Sequence, residues 1–223
     1  MSEFLPLLAI ETSDNICSAC IYFNDEKYFS TKVILKHSHS EKIFDVIDSV
    51  IAQSGISKNQ IKSIAVSAGP GSFTGLRIGM AAAKGIAQTL DIPIIPVPTF
   101  EAFALQIIQY LPDNASFIIA NKVGRDELYY AKFQIKANNY IFKEDLKIVP
   151  ISDFLILNTK EKIFGNLDKN ITGEILDITK ISAPDAEFVA RWAANSDLKN
   201  LHSGIDYIEP NYLKDFIVKE KKI

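Results

Sequence analysis

The stretch Ala68-Gly-Pro-Gly-Ser-Phe-Thr-Gly-Leu-Arg-Ile-Gly79 decides the reading of this chain. It opens on Gly69-Pro-Gly-Ser-Phe-Thr-Gly75, with three glycines and a proline in seven residues. Before it, Ile64–Ala68 has the composition of a buried strand. After it, residues from about Phe73 to Leu90 repeat with helical periodicity. A glycine-rich turn from strand to helix allows unusual backbone angles and close approach of other groups. The helix start that follows offers free N–H groups and partial positive charge, so Gly69, Gly71, Ser72 and Thr74 are candidates for holding an anion or standing near a nucleotide. A tight turn with no ligand is the alternative. The spacing matches neither the Walker A loop nor the dinucleotide fingerprint.

On a helical wheel, Leu76, Met80, Ala83, Ala87 and Leu90 form one apolar stripe. Arg77, Ala81, Lys84 and Gln88 lie roughly opposite. Gly75, Gly79, Ala82 and Ile86 run between them. A line of small residues admits a second backbone, as in tightly packed helix pairs. Glycine inside a helix costs about 1 kcal/mol relative to alanine, so Gly79 and Gly85 call for a packing reason. That reason is either the chain's own sheet or a partner.

Ser40–Gln53 reads as a second helix, with Ser38 or Ser40 as its cap and Gly55 at its C-terminal turn. Ile43, Phe44, Val46, Ile47, Val50 and Ile51 cover about 160° of its circumference, more than the ~100° that one sheet-facing stripe needs. The surplus is a second internal contact or an exposed interface patch. Ser57-Lys-Asn-Gln60 has capping-box spacing for a short turn.

Further outward, Leu7–Ile10, Ile16–Phe23 and Lys27–Leu35 read as strands of a hairpin-rich start. Ile92–Val97 reads as a strand that Pro93 and Pro96 either place at an edge or keep short. Thr99 is placed as the cap of a helix that ends before Pro112. Phe117–Ala120, Glu127–Ile135 and Ile141–Val149 follow as strands, with Asn138-Asn139 as the turn between the last two. Ala186–Asn195 reads as a helix and the tail after Lys219 as a frayed end. The order predicts a mixed α/β sheet with helices on its faces. The boundary between two lobes is expected near Tyr110–Asn114, giving a first lobe at 1–110 and a smaller second lobe at 111–223, whose C-terminal part returns to the first.

The chain has 223 residues, 48% of them hydrophobic and 23% charged, enough for a sizeable core without disulfides or metal. A formal net charge of −3 excludes an autonomous, strongly basic grip on nucleic acid. The N-terminus lacks a basic n-region and no apolar run approaches the ~20 residues of a bilayer span, so a cytoplasmic protein with no membrane association is expected. Cys17 and Cys20 stand three apart in a strand and face opposite sides, which excludes a shared metal or disulfide. His37-Ser-His39 is a weak metal signal without the i, i+4 spacing that puts two imidazoles on one helical face, and His202 stands alone. Residues 143–147 read as a solvated, charged face.

Leu8-Ala-Ile-Glu-Thr-Ser, His39 at the opening of a helix, the Ala68–Gly79 string, Glu127-Leu-Tyr-Tyr-Ala, Ala183-Pro-Asp-Ala and Glu209-Pro-Asn-Tyr-Leu-Lys together resemble the TsaB (YeaZ) family over nearly the whole chain. The resemblance implies a two-lobed fold of the actin-like/hexokinase-like ATPase superfamily, ribonuclease H-like, with a shortened second lobe. It implies a non-catalytic subunit in bacterial tRNA N6-threonylcarbamoyladenosine synthesis at adenosine 37. A TsaD-like transferase is its partner, a TsaE-like ATPase joins them, and a TsaC-type enzyme supplies the threonylcarbamoyl-adenylate. tRNA is reached through the complex, and the chain alone forms a homodimer. No cofactor is expected on this chain; ATP and metal belong to the partner subunits. His39 is followed by Glu41-Lys-Ile43 with no second histidine, and Glu11-Thr-Ser-Asp-Asn lacks the glycine of the superfamily's first phosphate loop, so independent catalysis is not expected. Lys122-Val-Gly124 departs from an acid–arginine pair that family members often carry, unless Arg125 takes its place. With no catalytic or metal residues assigned, the expected partner face comprises His39, Ile43, Ile47, Ser72, Phe73, Thr74, Gly75, Arg77, Ile78, Gly79 and Ala82. The competing expectation is an autonomous, metal-independent transferase or glycoprotease-like enzyme.

Overall fold

The computed structural model describes residues 2–34, 39–156, 160–167, 178–179, 181–196 and 207–213. The first sheet has the order β3-β2-β1-β4-β5. β1 (Leu7–Glu11), β2 (Ile16–Asn24) and β3 (Lys27–Ile34) form an antiparallel meander. β4 (Ser63–Gly69) joins β1 in parallel, and β5 (Ile94–Pro98) joins β4 in parallel. Parallel neighbours need crossover connections, and two helices supply them. α1 (His39–Ser54) connects β3 to β4, and α2 (Phe73–Leu90) connects β4 to β5.

Strand alternation divides the core into two layers. Leu8, Ile10, Cys17, Ile21, Ile64 and Val66 face α1 and α2. Leu7, Ala9, Cys20, Tyr22, Ala65 and Val97 face the other way, toward α3 (Thr99–Ile107) and α5 (Ala186–Asn195). Cys17 and Cys20 thus lie on opposite faces, as their spacing requires, and both are buried free thiols. Burial pushes the Cys17 thiol up to about 11 and the Cys20 thiol up to about 12, which makes both inert at neutral pH.

The second sheet has the order β10-β9-β6-β7-β8. β6 (Ser116–Lys122), β7 (Glu127–Lys136) and β8 (Asn139–Pro150) form an antiparallel meander. α4 (Ile151–Ile156) follows, then β9 (Lys162–Phe164), parallel to β6, and β10 (Ile178–Thr179), parallel to β9. α3 is shared between the sheets. Its Ala102 packs with the first, while Phe100, Phe103 and Ile107 pack on Phe117, Ile119 and Phe133 of the second. The rings of Phe117 and Phe133 stack at 5.4 Å.

The mixed α/β class expected from the sequence is the class observed. β5 is an edge strand, where Pro96 breaks no ladder in a central position. The turn after β7 falls one residue earlier than expected, because Ala137 and Asn138, with φ 52° and 57°, take its two left-handed positions. Thr99 opens α3 but does not cap it; its hydroxyl accepts the Gly69 N–H instead, at 3.0 Å. The frayed tail expected after Lys219 lies outside the described residues, as do His37, Ser38 and His202. No helix among the described residues is long and apolar enough to cross a membrane.

Candidate functional site: the α1–α2 face and the turn beneath it

The turn at the start of α2 is held from below by the β1–β2 turn. Ser72 N–H donates to the Ser13 carbonyl at 2.6 Å. Gly75 N–H donates to Ser72 Oγ at 3.2 Å, which makes Ser72 the N-cap. With Gly69 N–H on Thr99, three of the donors that an anion would use are engaged inside the chain. Gly71 sits so close to this layer that an added Cβ would lie 2.7 Å from the Ser13 carbonyl oxygen. At Gly69, φ is 111° and an added Cβ would lie 2.6 Å from the Asn211 carbonyl oxygen.

The small-residue stripe meets the same layer. A Cβ at Gly75 would collide with the Thr12 carbonyl oxygen, and one at Gly79 with Thr12 Oγ1. Thr12 Oγ1 also donates to the Gly75 carbonyl at 2.7 Å. The neighbour that Gly75 and Gly79 admit is therefore Thr12 of the same chain. This corrects the placement of the partner face. Gly75, Gly79 and Ala82 are buried against the first sheet, and Ile43 and Ile47 are buried in the same core. Of the remaining expected positions, Ser72, Thr74 and Arg77 are exposed and Phe73 and Ile78 half-buried. His39 opens α1.

The wide apolar arc of α1 resolves in the same way. Ile43, Val46, Ile47, Val50 and Ile51 are all buried, so the surplus arc is mainly internal contact. Phe44 is the exception, 56% exposed. Beside it runs a groove of about 300 Å³ lined by Phe44, Ala81, Gly85, Ile86 and Leu90, with Lys58 at its margin. Gly85 has open space where its Cβ would stand. The exposed line Arg77–Ala81–Gln88, with the half-buried Lys84, completes the face.

On the other flank of α2 lies the segment 207–213. Ile208 is buried in the α1–α2 core, and Asn211 N–H donates to the Ala68 carbonyl at 2.6 Å. The Tyr212 ring lies 5.0 Å from Phe73. The Arg77 guanidinium sits 3.8 Å over Phe73, and its Nε donates to Tyr212 Oη at 3.1 Å. A second hollow, of about 270 Å³, lies between Arg77, Lys84, Glu209 and Tyr212.

Beneath the turn, Glu11 is wholly buried. Its carboxyl accepts the Ser13 N–H and the Ser67 hydroxyl. Burial pushes it up to about 7 against the pull of these hydrogen bonds, and the nearby Asp14 charge adds to the rise. Asp14 Oδ1 accepts Asn166 Nδ2 at 3.3 Å, and its Oδ2 is buried without a partner. The seam continues through Asn166 N–H on Asn121 Oδ1 at 3.0 Å, Asn121 Nδ2 on the Ser182 carbonyl at 3.1 Å and Ser182 Oγ on Asn15 Oδ1 at 3.2 Å. Sequence reading passed over Asn15, Asn121, Asn166 and Ser182, because isolated polar residues distant in the chain carry no spacing signal. Lys122 ends β6, its N–H bound to Asn166 Oδ1 at 2.7 Å, and Gly124 follows with φ 129°. The Lys122-Val-Gly124 departure therefore lies at one end of this seam.

Two five-stranded sheets, crossover helices on one face of the first and a polar seam between β1 and the second sheet define a mixed α/β fold. The family described as TsaD, tRNA N6-adenosine threonylcarbamoyltransferase, matches residues 33–150, more than half of the chain, and the chain belongs to this family, on its TsaB (YeaZ) branch. It is 25% identical to the tRNA threonylcarbamoyladenosine biosynthesis protein TsaB of Escherichia coli, over 96% of this chain and 97% of the relative. It is 33% identical to TsaB of Haemophilus influenzae over 57% of this chain, a match that spans only 53% of that relative. The crystal structure of YeaZ from Pseudomonas aeruginosa superposes with a TM-score of 0.76 at 19% identity, covering 93% of this chain and 99% of that one, which establishes the shared fold.

Proposed function

We propose that the chain is a non-catalytic scaffold subunit in tRNA N6-threonylcarbamoyladenosine synthesis at adenosine 37, and that its α1–α2 face carries a TsaD-type transferase subunit. The observation that carries the reading is the exposed groove beside Phe44 and Gly85, on a chain that aligns end to end with a TsaB protein. A monomeric globular domain gains nothing by leaving a phenylalanine half in water beside a helical glycine that touches nothing. Both features suit a partner helix packed closely on α2. The turn at Gly69–Thr74 supports the scaffold role over an enzymatic one, because its donors at Gly69, Ser72 and Gly75 are already satisfied by Thr99, Ser13 and Ser72. ATP and metal then act on the partner subunits, a TsaE-type ATPase joins them, and tRNA is reached through the assembly.

Gly85→Arg tests the face. The residue is exposed on a helix and its replacement disturbs no internal contact. The variant is expected to keep its helical circular dichroism and to lose co-elution with the transferase subunit. Unchanged co-elution rejects this face. Reconstitution tests the role: the transferase should modify tRNA only when this chain is added, and the chain alone should form no product from the adenylate donor. Turnover by the isolated chain rejects the scaffold reading.

A further inference from the structure

The two sheets have four edges, β3 and β5 in the first and β8 and β10 in the second. An edge strand leaves a row of backbone N–H and C=O groups unpaired, and folded chains blunt that row against stray pairing. Three of these edges are blunted. β5 has five residues, with Pro96 and Pro98 among them. β8 carries an extra residue at two places in its register with β7, between Lys147 and Glu144 and between Glu144 and Phe142, which bends it. β10 has two residues. β3 has eight, with neither proline nor glycine, and its register with β2 runs unbroken from Ile16–Ile34 to Tyr22–Tyr28. Among the described residues, nothing pairs with its outer side.

The side chains of β3 alternate between two faces. Phe29, Thr31 and Val33 are half-buried on the α1 side, where Gln53 Nε2 donates to Thr31 Oγ1 at 2.9 Å. Tyr28, Ser30, Lys32 and Ile34 are exposed on the other face, Ile34 at 66%. That face has an apolar residue at each end and a cation between them. The strand carries Lys27 and Lys32 and no acidic residue. An antiparallel pair of β3 strands centred on Thr31 would make the two Lys32 side chains diagonal neighbours, so charge opposes a second copy here. We propose that the outer edge of β3 receives an extended, acidic segment of another protein, which joins the first sheet as a sixth strand. Backbone hydrogen bonds supply its affinity and alternate side chains its selectivity. Residues opposite Tyr28 and Ile34 are apolar, and those opposite Ser30 and Lys32 are acidic. Lys32 now pairs with Asp185 at 2.9 Å, but the pair is partly exposed and worth little, and the ammonium has further donors to offer. Nothing in this depends on the α1–α2 face carrying a partner.

Amide hydrogen exchange on the full chain tests this with two synthetic peptides, acetyl-Val-Thr-Glu-Thr-Glu-Thr-Val-amide and the same sequence with lysine in place of glutamate. The pattern reads alike in both directions, so it fits a parallel or an antiparallel strand. The glutamate peptide, at millimolar concentration, should slow exchange about tenfold at alternate residues of Lys27–Ile34 and leave β8 unchanged. The lysine peptide should bind about tenfold more weakly. Lys32→Glu should weaken the glutamate peptide about tenfold and bind the lysine peptide more tightly than wild type does, a gain that misfolding cannot produce. Lys32→Ser, which only removes the charge, should bring the two peptides closer together in affinity. No slowing at β3, slowing at β8 instead, or equal binding of both peptides by wild type overturns the inference. Slowing at β3 that grows with the chain's own concentration and needs no peptide makes a second copy the occupant, and overturns it too.

Discussion

The Thr12 hydroxyl donates to the Gly75 carbonyl at 2.7 Å, and the Thr12 carbonyl fills the space where a Gly75 side chain would begin. β1 and α2 are thereby locked through one turn, with Gly79 against the same threonine. Gly79→Leu should cost about 3 kcal/mol or more, since overpacking a rigid backbone contact is expensive. Thr12→Val removes the hydrogen bond between the β1–β2 turn and α2, a loss of about 1 kcal/mol. Urea denaturation of each variant checks both values.

Gly85 lies on the same helix and predicts the opposite sign. Nothing stands within 4 Å of its would-be Cβ, and its backbone is regular helix. Gly85→Ala should stabilise the chain by about 1 kcal/mol through helix propensity alone. A rise in the urea midpoint at unchanged slope is the expected reading, and a fall would mean that α2 is packed there by something internal.

Glu11 makes stability depend on pH. Its folded value of about 7 lies above the unfolded 4.5, so the native state holds the proton more tightly. Its contribution is fully present below pH 4.5 and is lost as pH rises through 7. The loss is on the order of 3 kcal/mol. Glu11→Gln keeps the shape and removes the titration. Its stability should therefore be flatter than wild type between these limits, and identical slopes would show that Glu11 is not the titrating group.

Sequence periodicity placed α1, α2 and α5 to within a residue or so, because a stripe of buried residues repeats locally. It could not name what the stripe touches. Thr12 and Gly75 are 63 positions apart, and only the finished fold makes them neighbours. Gly75-Gly79-Ala82 therefore suggested a partner where the answer was the chain's own turn. The breadth of α1 misled in the same way, since α1 packs on both β2 and β3 and buries more of its surface than a single stripe. What the pattern did carry to the surface is the line Arg77–Ala81–Lys84–Gln88, which stands on the solvent side as its wheel position requires. β9 and β10, of three and two residues, are too short for any periodic signal.

The segment 207–213 should hold the start of α2 in place. Ile208 is its apolar anchor and the Asn211–Ala68 hydrogen bond its backbone tie. Ile208→Ala should cost about 2–5 kcal/mol as a buried large-to-small change. Tyr212→Ala should cost less, since its ring is only half-buried, and should act locally by releasing Arg77 from the Phe73–Tyr212 stack. Hydrogen exchange at Phe73–Arg77 checks this: faster exchange in Tyr212→Ala with β1 unchanged is expected, while uniform change would place the effect in global stability.

The junction of the lobes carries its own reporter. Trp192, the chain's one tryptophan, donates Nε1 to Glu101 Oε2 at 3.1 Å and lies 3.2 Å from Tyr140 Oη. Tyr140 donates to the same Glu101 oxygen at 2.6 Å. One carboxylate oxygen on α3 thus gathers α5, which packs on the first sheet, and β8 of the second. Burial and the Glu101 carboxylate both raise the Tyr140 phenol, which remains a donor across the working pH range. Glu101→Gln leaves an acceptor oxygen but removes the charge that strengthens both bonds. Glu101→Ala leaves the indole N–H and the phenol without their acceptor, at a cost of about 1–3 kcal/mol. Tryptophan emission should shift to the red in Glu101→Ala and much less in Glu101→Gln. An unshifted spectrum in Glu101→Ala would mean that the hydrogen bond does not set the indole's environment, and that α3 and α5 are held together by their apolar contacts alone.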